Sequence, residues 1–140
     1  MTRDRGSVSV EVAILAPAFL MLVVLAGIAG RTAIAQNAVD LAAHDAARTA
    51  SLARTAGTAQ TQGAATAGAT LADQGLNCDG TPDVHIDTGG FTVPVGQPAN
   101  IAVTVTCHVT FADLVMPGVP GGTTVEATFV SPLDQYRSRG

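Results

Sequence analysis

Tryptophan is absent, aromatic residues make up 4% of the chain, and charged residues make up 13%. The 47% hydrophobic content draws heavily on alanine, so a soluble core built from it is small. Basic charge is scarce as well: Arg3 and Arg5 form only a short basic pair in a chain of net charge −4. That distribution offers no phosphate-binding surface and argues against nucleic acid as a partner. Gly-rich phosphate loops, nucleophile elbows and pocketed carboxylate pairs are missing, so nothing points to catalysis or to a cofactor. Cysteine is limited to Cys78 and Cys107, with no C-x-x-C or H-x-x-x-H spacing to suggest a metal site.

What the chain does have is one long apolar run, residues 12–30, without a charge. As a helix it spans about 28 Å, close to the roughly 30 Å hydrocarbon thickness of a bilayer. Pro17 lies in its first turns, where transmembrane helices tolerate proline. Arg3 and Arg5 against one Asp4 place the N-terminus in the cytoplasm and everything after the run outside. Both cysteines then face an oxidising compartment. A disulfide closing about 30 residues contributes roughly 3–4 kcal/mol in the chain-entropy model, much of a small domain's stability.

After the run, Ala35, Val39, Ala42, Ala46, Ala50 and Ala53 recur at three- and four-residue steps, which extends the same helix to about Ala56. Gly57 weakens it there, and residues 60–74 read as a second Ala/Thr-rich helix interrupted by Gly63 and Gly68. The period then switches to two. Ile101, Val103, Val105, Cys107, Val109 and Phe111 alternate with Ala102, Thr104, Thr106, His108 and Thr110, as a half-buried strand requires. Residues 84–86, 91–95 and 123–130 are further strand candidates, the last entered through Pro117-Gly118 and Pro120-Gly121-Gly122. The expected fold is α+β: a long N-terminal helix with a membrane-spanning first half, a second helix, and a small antiparallel sheet of three or four strands. Expected divisions are 1–6 (leader), 7–30 (membrane and assembly helix), 31–75 (Ala-rich helical region) and 76–140 (disulfide-stapled β-domain).

Several polar groups invite simpler explanations. Cys107 and His108 are successive strand residues and point to opposite faces, so they do not share a metal ion. Asp79, Asp83 and Asp87 surround a Gly-Thr-Pro turn without the ligand spacing of a calcium loop, and read as a solvated turn. His44 beside Asp45 reads as a surface pair.

Glu11 is harder to dismiss. It sits at the edge of the apolar run, where an unpaired charge costs about 2.5–3.5 kcal/mol on insertion scales, which marks it as functional by default. Gly6, four residues, Glu11 and the apolar run together resemble the processing site of type IV pilin-like precursors, in which a membrane peptidase cuts after the glycine. Two other readings compete. One is an ordinary signal peptide cleaved after Ala33-Ile34-Ala35, before Gln36, to release a secreted binding module; the other is an uncleaved anchor with Glu11 at the cytoplasmic interface. The apolar run exceeds the usual 7–15 residues of a signal core, and the signal-peptide reading gives Glu11 no role.

The segment Arg5-Gly6-Ser7-Val8-Ser9-Val10-Glu11-Val12-Ala13-Ile14-Leu15-Ala16-Pro17 resembles the TadE family of pilin-like proteins from tight-adherence (Flp, type IVc) pilus systems. Residues 42–54 and Ser131-Pro132-Leu133-Asp134-Gln135-Tyr136-Arg137 are similar to actinobacterial members. Major Flp pilins carry Tyr directly after the glutamate and are much shorter. Val12 follows Glu11 here and a sheet domain is attached, so the resemblance implies a minor pilin or pseudopilin. His44-Asp45 also stands where family members often have an Arg-Glu pair. The resemblance further implies cleavage between Gly6 and Ser7 by a prepilin peptidase, with Glu11 assisting subunit assembly. The implied partners are that peptidase, other pilins, Tad assembly components and the membrane.

Overall fold

The computed structural model describes residues 5–110 and 121–136, with side-chain surroundings from Val10 onward. Its elements are helix α1 (Arg5–Leu52), helix α2 (Ala56–Asp73), strand β1 (Asp83–Asp87), a 3-10 turn (Gly89–Thr92), strand β2 (Ala99–Thr110) and strand β3 (Gly122–Leu133). The fold is α+β, with one three-stranded sheet in the order β1-β2-β3 and both pairings antiparallel. Two compact units divide the chain, Met1–Ala33 and Ile34–Gly140. The expected leader up to Asp4, the strand end at Phe111, the turn through Pro117-Gly118 and Pro120, and Arg137 lie outside the described residues.

In the first unit, α1 carries the apolar run. An 18-residue window of this helix reaches a mean hydropathy of 2.7 with none of it buried, and the helix is long and apolar enough to cross a membrane. Large side chains such as Ile14, Leu15, Phe19, Met21 and Leu25 are all more than 60% exposed. The apolar surface therefore has no partner within this unit, as a lipid-facing helix requires.

The second unit has one core. On its α1 side are Ala35, Val39, Ala42, Ala43, Ala46, Ala47 and Ala50; on its sheet side are Ile101, Val103, Val105, Val125 and Ala127. Alanine on the helix permits a close approach, and the branched residues of β2 supply the volume. Ile101, Val103 and Val105 are each 0% exposed. Burying an aliphatic side chain of this size contributes about 1.5–3 kcal/mol.

Helix α1 ends at Leu52, earlier than the expected Ala56, and α2 begins at Ala56 rather than near residue 60. The cause is a cap. Thr55 adopts an extended backbone, and its Oγ1 accepts a hydrogen bond from the Thr58 N–H at 3.2 Å. Gly57 thus falls in the first turn of α2. The buried face of α2 is Ala59, Gly63, Ala67 and Leu71. Gly63, an apparent interruption in the sequence, is its contact point: a Cβ there would lie 2.6 Å from Ile86 Cδ1 and 3.3 Å from Ala50 Cβ. At the other end, Gly75 takes a positive φ of 67°. Its N–H donates to Ala72 O and the Leu76 N–H to Leu71 O, at 2.9 and 3.0 Å, closing the helix as a Schellman motif.

The strand expected over residues 91–95 is not formed. Asp87 Oδ1 accepts from the Gly89 N–H at 2.9 Å, Phe91 N donates to Thr88 O at 3.0 Å, and the Thr92 hydroxyl donates to Gly89 O at 2.7 Å. These local bonds fold residues 89–92 into the 3-10 turn in place of a ladder. Close packing reinforces it, because a Cβ on Gly90 would meet Asn100 O. Strand β3 runs three residues past the expected Val130, through Pro132 opposite Asn100. Proline is tolerated there because β3 lies at the edge of the sheet.

Candidate functional site

Glu11 lies on the exposed surface of α1, directly before the unburied apolar stretch. Gly6 and Ser7 fall within the bounds of the same helix. On a helix, five residues separate Gly6 from Glu11 by roughly 7.5 Å along the axis. Further along, a Cβ added at Gly27 or Gly30 would meet nothing within 4 Å, so this stretch presents open backbone surface. The Thr32 hydroxyl donates to Ile28 O at 3.0 Å, which satisfies the first hydroxyl after the run without leaving the helix.

In the second unit, Cys78 and Cys107 are joined by a disulfide with a Cα–Cα distance of 5.3 Å. Cys107 is 1% exposed on β2, while Cys78 is partly exposed in the coil after α2. The Asp79 N–H donates to His108 O at 2.7 Å, holding that coil against β2. Cys107 faces the core and His108 the opposite, solvent-exposed side, where Nδ1 meets Thr124 Oγ1 at 3.0 Å. Among the described residues, no group of three or more His, Cys, Asp and Glu is placed to hold a metal ion. Of the three loop aspartates, Asp87 is engaged in the turn above and Asp83 opens β1.

His44 and Asp45 form a half-exposed pair, Nδ1 to Oδ1 at 3.3 Å. Asp45 Oδ2 also accepts from the Thr70 hydroxyl at 3.4 Å, and the His44 ring meets Phe129 edge-on at 4.5 Å between centroids. This cluster ties α1 to α2 and β3. Sequence patterning does not reveal two further ties. Gln36 Nε2 donates to Glu126 O at 2.9 Å, and the Ser131 hydroxyl donates to Ser51 Oγ at 3.1 Å. Both connect α1 to β3 over 80 or more residues, a separation at which no local signal exists.

An unburied apolar helix headed by an exposed carboxylate thus precedes a folded α+β unit. Residues 6–48 match the sequence model of the TadE-like protein family. The TadE-like segment starts at Gly6, contains Glu11 and the whole apolar run, and ends within the Ala stripe at Arg48. No curated protein and no solved structure matches the chain. The TadE-like segment therefore includes the first unit's apolar helix and the α1 core residues from Ala35 to Ala47, while Ala50, α2 and the sheet lie beyond it.

Proposed function

We propose that the chain is a non-enzymatic minor pilin or pseudopilin of a Tad/Flp-type pilus. The TadE-like match associates it with Tad pilus proteins, and the N-terminal apolar helix supplies the membrane anchor. In this reading the N-terminus is cytoplasmic, the sheet-bearing unit lies outside, and a prepilin peptidase cuts between Gly6 and Ser7. The observation that carries the reading is the start of the family match at Gly6, five residues before an exposed Glu11 and an unburied apolar helix. Gly6 suits the cut because it has no side chain to block approach to its backbone. Cleavage frees the amine of Ser7, and Glu11 of one subunit pairs with that amine on a neighbour. A charge that is costly alone in hydrocarbon becomes tolerable when paired, which favours assembly in register.

The secreted-module reading draws on one observation, the unit boundary between Ala33 and Ile34. Two others weigh against it. A cut before Gln36 severs α1 internally and detaches Ala35, which is 2% exposed in the core. It would also leave a new chain end at Gln36, whose side chain bonds to β3.

All seven cationic side chains are arginine, so the α-amine is the chain's only primary amine. An amine-selective label on protein taken from membranes therefore marks the N-terminus alone, and mass analysis identifies it. Ser7 is the expected result. Gln36 would establish the secreted module, and an intact Met1 the uncleaved anchor.

A further inference from the structure

The bridge is asymmetric in a way that bears on how it forms. Cys107 sits on the central strand, 1% exposed and facing the core. Cys78 lies on the coil after α2, partly exposed, and lines an open cavity of about 230 Å³. The walls of that cavity include Gly68, Leu71, Leu76 and Pro82, with the polar Asn77 directly before the cysteine. Thiol–disulfide exchange needs a nucleophilic sulfur to approach the attacked sulfur directly, so access decides which cysteine exchanges.

We propose that Cys78 is the point of exchange of the folded domain, and that the disulfide of an external thiol–disulfide catalyst meets it from the side of this cavity. In the forming direction, the Cys78 thiolate attacks the external disulfide, making a Cys78 mixed disulfide and releasing the catalyst's second sulfur as a thiolate. Cys107 then attacks Cys78 Sγ as its thiolate, closes the bridge and expels the catalyst's first sulfur, which takes up the proton that Cys107 loses. Two protein thiols are oxidised and one external disulfide is reduced to two thiols. In the reverse direction an external thiolate enters at Cys78 and Cys107 leaves.

The test uses the intact chain in detergent, with glutathione as the probe. Folded protein is exposed to excess reduced glutathione, quenched early with an alkylating agent, and mapped by peptide mass. The expected product carries glutathione on Cys78 and the alkyl group on Cys107; the opposite distribution overturns the proposal. With oxidised glutathione, the Cys107→Ala variant is expected to form its adduct at least about tenfold faster than Cys78→Ala, since a buried thiol reacts only after local opening. Equal rates in folded variants overturn it as well. The cavity is tested by Gly68→Leu, where a Cβ meets nothing within 4 Å and helix propensity improves. Adduct formation at Cys78 should slow several-fold with no loss of stability, and an unchanged rate removes the cavity from the proposal.

Discussion

Breaking the Cys78–Cys107 bridge tests how the second unit is held together. The cysteines are 29 residues apart, and the chain-entropy relation for a loop of that size gives about 3.6 kcal/mol at 25 °C. A domain of this size has about 5–15 kcal/mol in total, so the bridge accounts for a large fraction. The two single replacements are not equivalent. Cys78→Ser releases the constraint and places a hydroxyl in a partly exposed coil, so its cost is close to the loop term alone. Cys107→Ser releases the same constraint but leaves a hydroxyl at a 1% exposed position in the core that holds Val103, Val105 and Val125. An unsatisfied buried polar group adds about 1–3 kcal/mol. Intrinsic fluorescence is a poor probe, because the chain has no Trp and Tyr136 is 89% exposed. Pulse proteolysis of the full chain in detergent across a urea series reports the folded fraction instead. The urea midpoint should fall by the equivalent of about 3.6 kcal/mol for Cys78→Ser and further for Cys107→Ser. Losses under about 1 kcal/mol for both variants, or a larger loss for Cys78→Ser, would refute the reasoning.

The same assay separates core from surface: Ile101→Ala, at 0% exposure, should cost about 2–5 kcal/mol. Ile34→Ala, at 67% exposure, should stay within about 0.5 kcal/mol. Gly63→Val forces a side chain into the space held by Ile86 and Ala50, and should lower stability by about 1–3 kcal/mol despite the gain in helix propensity. Glu11→Ala should still be cut at Gly6, as read by the N-terminal label, but should no longer co-purify with other pilus components; normal co-purification would count against the pairing with Ser7.

Much of the fold was legible because its signals are periodic. The alternation from Ile101 to Cys107 identified β2 and its buried face, and the spacing of Ala35, Val39, Ala42, Ala46 and Ala50 identified the face of α1 that packs. The errors fall where short-range bonding overrides pattern. Thr55 as a cap moved the break between the helices, and the Asp87–Gly89 and Thr92–Gly89 bonds turned an apparent strand into a 3-10 turn. Gly63 read as a weak point because propensity takes no account of neighbours. The ties from Gln36 to Glu126 and from His44 to Phe129 carry no signature in a single sequence, since each depends on residues brought together only by the finished fold. Of the candidate site, the apolar run was readable because membrane solvation constrains composition directly, while the roles of Gly6 and Glu11 belong to the proposal above. The inequality between Cys78 and Cys107 was not, since access to a sulfur depends on packing rather than on spacing.

The order of burial along α1 also determines what the assembly experiment means. The buried hydrophobic residues begin at Ala35, and no described residue before it belongs to the core cluster. Replacing Glu11 therefore takes nothing from that core, and a Glu11→Ala chain should unfold at the unchanged urea midpoint. A defect in assembly with that midpoint intact then belongs to the helix surface and its partners. A shifted midpoint would mean that the substitution acts on folding as well as on assembly, and the pairing of Glu11 with Ser7 would lose its claim to explain the defect.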